Sequence, residues 1–243
     1  ELDGKQGDFF AKIISNFLED PSKVSEDLNV LEKTDLLIVA KPRSKFSEKE
    51  LFIIDQYIMN GGTIIWLVDM LDVNEAILQD TNITYASAVD HGLQQFLFKY
   101  GARFNVNMIN DSRCSPKIRE DGLGRIPNWY FYPLLYLDEP SKYLRNVGPV
   151  KTRYVCSIDT VGDNATSKTA LLKTSLDYKI LRQTSVNYQN LYNYNPKNFE
   201  NEAKPPICGW LFEGVFKSNY QNRAVSKEFQ KFIGNPLVKF KKT

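Results

Sequence analysis

The apolar positions of this chain fall into short, differently spaced groups, and the spacing predicts the elements. Phe9, Phe10, Ile13, Ile14, Phe17 and Leu18 recur at intervals of one, three and four, which predicts a helix over 7–19, closed by Asp20-Pro21. Leu36 to Ala40 is an unbroken aliphatic run between Asp35 and Lys41-Pro42, as expected of a central parallel strand apolar on both faces. Ser47 with Glu50 three residues on is a capping box. It opens a helix over 48–60 whose buried side is Leu51, Ile54, Tyr57 and Ile58, and Gly61-Gly62 supplies the C-terminal stop. Thr63 to Val68 reads as a second buried strand ending at Asp69. Strand, capped helix, paired glycines and strand in this order form a βαβ unit with a right-handed crossover.

Further on, Asn82 to Tyr85 is a short extended piece, and residues 70–90 around it are mixed. Leu93, Phe96, Leu97 and Tyr100 mark another helix, with Asp90 as N-cap and Gly101 as its stop. Arg103 to Ile109 alternates and predicts a strand. Residues 1–110 therefore read as an α/β core, a Rossmann- or flavodoxin-like three-layer arrangement with a mainly parallel sheet. The pattern then changes. Residues 111–128, with Pro116, Gly122, Gly124 and Pro127, read as a loop. Trp129–Leu137, Val150–Ile158, Ala170–Thr174 and Ile207–Phe216 read as strands separated by turns, and the Asn- and Tyr-rich stretch 187–201 as a long loop. Residues 111–243 thus form a more β-rich continuation of the same folded unit. No repeat with a period of 20 to 50 residues is present.

Composition narrows the class. With 243 residues, 42% hydrophobic and 25% charged, the chain can bury a core without staples. Its 31 basic and 29 acidic residues nearly cancel, which gives no support to a nucleic-acid surface. No run of about 18 apolar residues spans a membrane. The first residue is Glu1, and the end, Lys239-Phe240-Lys241-Lys242-Thr243, has no stop signal, so the chain reads as cut from a longer protein.

The candidate chemistry is sparse. Cys114, Cys156 and Cys208 lie far apart with no C-x-x-C pair, and His91 is the one histidine, so no metal site and no cofactor are expected. Gly122-Leu123-Gly124 lacks a third glycine and precedes Pro127, so it is a turn and not a dinucleotide loop. A thiol nucleophile, Cys208 or Cys156 with His91 as base, is the enzymatic option, and buried small hydrophobes are the plainer reading of the same cysteines. Asp69 stands at a strand's carboxyl end, where open α/β sheets place ligands. Lys41, Arg43 and Ser44 follow the neighbouring strand and precede a helix start, which suits an anion. Asp159 is a further strand-end carboxylate. Turn caps and solvated loop charges are the alternatives for these. Glu213 lies among apolar neighbours and is either solvent-facing or a paired buried acid. Trp129, Tyr130, Phe131, Tyr132 and Tyr136 around Pro133 could form an aromatic platform for a sugar or a protein, or simply fill a core.

Several blocks carry a resemblance. Lys41-Pro42, Phe46-Ser47-Glu48-Lys49-Glu50, and Ile54-Asp55-Gln56-Tyr57-Ile58-Met59-Asn60-Gly61-Gly62 are followed by Ile65-Trp66-Leu67-Val68-Asp69. Leu97-Phe98-Lys99-Tyr100-Gly101, Tyr132-Pro133-Leu134, Ser157-Ile158-Asp159-Thr160-Val161, Leu211-Phe212-Glu213-Gly214, Phe216-Lys217-Ser218 and Asn222-Arg223 continue in order. Together they resemble the extracytoplasmic domain of the GldG-type, gliding-motility-associated ABC-transporter auxiliary family of Bacteroidetes. The resemblance implies a periplasmic domain of a parent anchored in the inner membrane by helices outside this chain, working with an ABC permease and ATPase. It also implies likeness to a domain of an intraflagellar-transport protein and to glutamine-amidotransferase-type α/β folds. The amidotransferase nucleophile elbow has no match here, and neither has the family strand that precedes Glu1-Leu2. The expectation is a non-enzymatic recognition domain for a protein partner or an exported glycan or lipid-linked ligand. Lys41, Arg43, Asp69 and Asp159 would form its rim. A carbohydrate-binding module using Trp129 and Tyr132, or a degenerate amidotransferase- or hydrolase-like enzyme, are the alternatives.

Overall fold

The computed structural model describes residues 31, 34–119, 124–138, 148–162, 166–182, 185–188, 199 and 204–221. The helix expected over 7–19, most of the Asn- and Tyr-rich stretch and the C-terminal end lie outside them.

The βαβ unit forms as its pattern predicts. β1 (Leu36–Ala40) pairs in parallel with β2 (Thr63–Leu67), Leu37 opposite Ile64 and Val39 opposite Trp66. The connecting helix α1 (Glu48–Met59) starts in a complete capping box, Ser47 receiving the Glu50 N–H and Glu50 receiving the Ser47 N–H. It ends in a Schellman motif: Gly61 donates to Ile58 and Gly62 to Tyr57, with Gly61 at φ +89°. Gly62 also has to be glycine for space, since a Cβ there would sit 2.4 Å from the Tyr57 ring. The buried side of α1 is Phe52, Ile54, Asp55, Tyr57 and Met59, whereas Leu51 and Ile58 are only half-buried. β2 is not buried on both faces. Thr63, Ile65 and Leu67 are exposed, and only Ile64 and Trp66 turn toward the core.

Past β2 the expected architecture fails. The chain is not a mainly parallel Rossmann- or flavodoxin-like core: strands make up 39% and helices 17% of the described residues, in three helices. Every strand pairing among the described residues other than β1–β2 is antiparallel. The physical reason is the shortness of the later helices and strands. A parallel return needs a crossover of about a dozen residues or more, but α2 (Glu75–Thr81) and α3 (Leu93–Lys99) have seven residues each. The strands before and between them are two or three residues long: β3 (Leu71–Asp72) before α2, then β4 (Ile83–Tyr85) and β5 (Ser87–Ala88).

The single strand expected over 103–109 is broken into β6 (Ala102–Phe104) and β7 (Met108–Asp111). The loop expected over 111–128 contains a small hairpin, β8 (Lys117–Ile118) with β9 (Arg125–Ile126). Trp129 to Tyr132 is a turn closed by the Tyr132 N–H on the Trp129 carbonyl, and only β10 (Leu134–Leu137) is strand. β11 (Val150–Lys151) and β12 (Ile158–Thr160) flank an irregular stretch, and β13 (Thr166–Lys173), β14 (Tyr178–Leu181), β15 (Ser185–Asn187) and β16 (Ile207–Gly214) follow. One sheet runs in the order β11-β10-β13-β16; β12 pairs with β6, β14 with β7 and β15 with β4.

Two apolar clusters fill the interior. One joins Leu37, Val39, Ile54, Tyr57, Leu93, Phe96, Leu97 and Ala102 around the βαβ unit. The other joins Leu71, Val73, Leu78 and Met108 to Trp129, Phe131, Tyr132, Val186 and Tyr188. Both draw on residues from either side of residue 110, because β12 and β16 return to the first cluster through Ile158 and Phe212.

Candidate functional site

The carboxyl ends of β1 and β2 gather most of the charged residues expected of a rim. The chain leaves β1 through Lys41, held at φ +50° with its N–H on the Leu67 carbonyl at 2.7 Å. A positive φ at a lysine is uncommon, and here it turns the chain so that three cations face one strip of carboxylates. Lys41 Nζ lies 3.3 Å from Asp69, Arg43 pairs with Asp72, and Lys45 pairs with Asp90 at 3.0 Å. The anion cradle expected of Lys41 and Arg43 is thus answered from within the chain by Asp69 and Asp72. All six side chains keep contact with water, so the pairs add little to stability. Their geometric effect is to lace the loop after β1 to the segments after β2 and before α3. The hydrogen bond from Lys45, and then its charge, also hold the Asp90 carboxyl below its usual range.

His91 sits behind this strip, 1% exposed. Its Nδ1 accepts the Leu93 N–H at 3.2 Å, which requires that nitrogen to be unprotonated, and its carbonyl receives the Phe46 N–H. Burial holds the imidazole below its ordinary pKa, and the Asp69 carbonyl and the Asp90 charge oppose this only in part. Cys156 is also buried, and its thiol is pushed up to about 12 by burial and then by the Asp69 charge. Cys114 is likewise pushed up to about 12 by burial and by Asp111, and burial raises Cys208 as well. Thiols so placed stay protonated near neutrality and are poor nucleophiles. No cysteine is hydrogen-bonded to His91 among the described residues.

Asp159 does not join the rim. It lies on β12 in an antiparallel pair, opposite Arg103, and takes a hydrogen bond from Asn105 at 2.9 Å. The strand-end argument fails for it because β12 is not a parallel strand. Trp129 and Tyr132 are not a platform open to a sugar. They are 0% and 3% exposed; they pack edge-to-face on each other, Tyr132 packs edge-to-face on Tyr154, and Trp129 lies tilted against Phe131 and Tyr188.

Those rings frame a second polar cluster, which the sequence pattern does not reveal. Glu75 opens α2, whose N-cap Asn74 receives the Ile77 N–H. Its carboxylate accepts from Tyr132 at 2.8 Å, from Tyr154 at 2.5 Å and from buried Lys117. Burial pushes the Glu75 carboxyl up, but the Lys117, Tyr154 and Tyr132 bonds outweigh it and hold the pKa below its usual value. The same burial raises both tyrosines. A third buried group, Asp55, ties distant segments together. It accepts from Tyr100, from Ser218 Oγ at 2.6 Å, from the Asn219 N–H at 2.7 Å and from Gln56 at 3.1 Å. The Asn74-Glu75 capping pair is the one local signal for the Glu75 cluster; Lys117 and Tyr154 carry none.

The model of the family described as an ABC-type uncharacterized transport system matches residues 3–241. No curated protein matches the sequence. Among solved structures, one titled "mmIFT52 N-terminal domain" is similar over 65% of this chain at 16% identity, with a TM-score of 0.44. The match spans about 60% of that chain's length.

Proposed function

The chain belongs to a family of ABC-type transport-system auxiliary proteins, and on that premise we propose that it is the system's non-catalytic recognition domain. In this reading it works in the periplasm as part of an inner-membrane-anchored parent of the GldG type. It meets the permease and ATPase assembly, or an exported ligand, through the loops at the carboxyl ends of β1 and β2. The observation that carries the reading is the triple ion-paired strip Lys41–Asp69, Arg43–Asp72 and Lys45–Asp90. It offers surface charges of both signs, which give orientation and partner choice more than raw affinity. The raised thiols, and a His91 Nδ1 already occupied by the Leu93 N–H, argue against nucleophilic catalysis at the same place.

The test is capture of the permease and ATPase subunits by the full-length parent from solubilised membranes, with wild type and with Arg43→Glu/Asp69→Lys. The variant should lose those subunits while its domain melts as wild type does. Unchanged recovery of both subunits refutes the rim assignment.

A further inference from the structure

Away from the rim, one aromatic ring carries more positive charge than its surroundings neutralise. Three cations approach the Tyr132 ring: Lys117 at 5.6 Å, Lys151 at 5.8 Å and Arg153 at 5.2 Å from its centroid. Lys117 is buried and paired with Glu75, so its charge is balanced. Lys151 and Arg153 are exposed, and no carboxylate among the described residues pairs with either. Two like charges on one ring are unfavourable unless something answers them.

The backbone sets this arrangement up. Lys151 stands opposite Leu134 in the β10–β11 pair, and the Thr152 N–H binds the Pro133 carbonyl at 3.0 Å. Continuing that register by two residues puts Arg153 opposite Tyr132, and the two-residue period sends Lys151 and Arg153 to one face. Tyr154 then takes φ +52°, a conformation that a bulky aromatic residue rarely adopts. It is held there by its N–H on the Phe131 carbonyl and its hydroxyl on Glu75. The reversal drives Tyr154 inward and leaves Arg153 exposed, its guanidinium 5.2 Å from the Tyr132 ring centroid. Strain of this kind persists only where neighbours over-determine it, and it concentrates at binding sites.

We propose that Lys151 and Arg153, mounted on the Tyr132 ring, form a binding site for a phosphate-type oxyanion. A guanidinium held over a ring by cation–π attraction keeps N–H groups free to grip two oxygens, and the ammonium beside it adds a point charge. The Tyr132 ring limits the freedom both long side chains would lose on binding. The phosphate is either free or part of a lipid headgroup, and the chemistry of capture is the same.

The 243-residue chain is titrated with inorganic phosphate by calorimetry and, separately, with vesicles of anionic phospholipid against vesicles of phosphatidylcholine alone. Binding in either anionic arm, weakened about tenfold or more in Lys151→Glu/Arg153→Glu, is the expected result. The arm that responds identifies the source. Lys179→Glu/Arg182→Glu makes the same charge change elsewhere and should retain binding. Arg153→Lys, which keeps the charge but not the fork, should bind with intermediate strength, so a folding defect in the reversal variant does not decide the matter. No binding in either arm, equal loss in the control pair, or full binding by the reversal variant overturns the proposal.

Discussion

Glu75→Gln isolates the buried cluster beneath that site. The substitution keeps shape and one acceptor but removes the negative charge. Lys117, with its side chain 7% exposed, is then left as a buried ammonium without a counter-ion. Its other neighbours are the rings of Trp129 and Tyr132 and the Tyr132 hydroxyl at 3.5 Å, none of which carries negative charge. Removing one partner of a buried pair costs about 3 to 5 kcal/mol, mostly the penalty of the orphaned charge. Glu75 is itself 30% exposed, so water can reach one side of the pair, and the expected loss lies at the lower end, about 3 kcal/mol. The cause is separable from lost packing. In Glu75→Gln/Lys117→Met the orphan is gone and the hydroxyls of Tyr132 and Tyr154 keep an amide acceptor, so stability should return to within about 1 kcal/mol of wild type. Urea unfolding followed by tryptophan fluorescence measures both, and Trp129 lies inside the cluster. A single variant that loses under about 1 kcal/mol, or a double variant no more stable than the single, refutes the account.

Two further perturbations test buried His91 and the long-range tie at Asp55. His91 is the one histidine, and its folded pKa is depressed, so as pH falls the unfolded chain takes up the proton first. Its contribution is complete above the unfolded value of about 6.5 and is lost as pH falls from there toward the depressed folded value; between about pH 7.5 and 5.5 wild type should lose up to about 1.4 kcal/mol. Unfolding curves of His91→Gln that keep the same slope in this window contradict the assignment. Asp55→Ala strands the Tyr100 hydroxyl and the Asn219 N–H in the interior and should cost about 3 kcal/mol, at 1 to 3 kcal/mol per buried group left unsatisfied. Combined with Ser218→Ala in a double-mutant cycle, it should show coupling of at least about 0.5 kcal/mol, and strict additivity would mean the Asp55–Ser218 bond holds nothing.

The parts legible in the sequence are those decided within about one turn or one hairpin of chain. β1, the Ser47–Glu50 box, α1 and the Gly61-Gly62 stop all form where their spacing puts them. Lys41, Arg43 and Asp69 are identifiable as strand-end charges because each closely follows a strand, and the Lys41–Asp69 pair follows from the parallel register that sets Ala40 beside Leu67. Even so, the strand pattern misleads in two ways. An apolar run such as Thr63–Leu67 reads alike whether one face or both are covered, and here one face is open. The aromatic run from Trp129 reads alike as platform or core, and burial alone separates the two.

Fold class, the Glu75 cluster and the Asp55 tie belong to the tertiary structure. Parallel or antiparallel return after β2 depends on which later strand reaches which edge, and β12, β14 and β15 come from more than 50 residues downstream of their partners β6, β7 and β4. Lys117 looks like a loop cation until hairpin β8–β9 delivers it to a carboxylate 42 positions earlier. Asp55 looks like a helix-surface acid until Ser218 and Asn219 arrive from 163 and 164 positions away. Local periodicity encodes torsion angles and one face of burial. It carries no information about which distant polar group will satisfy a buried one, and that pairing is what makes Glu75, Lys117 and Asp55 structural.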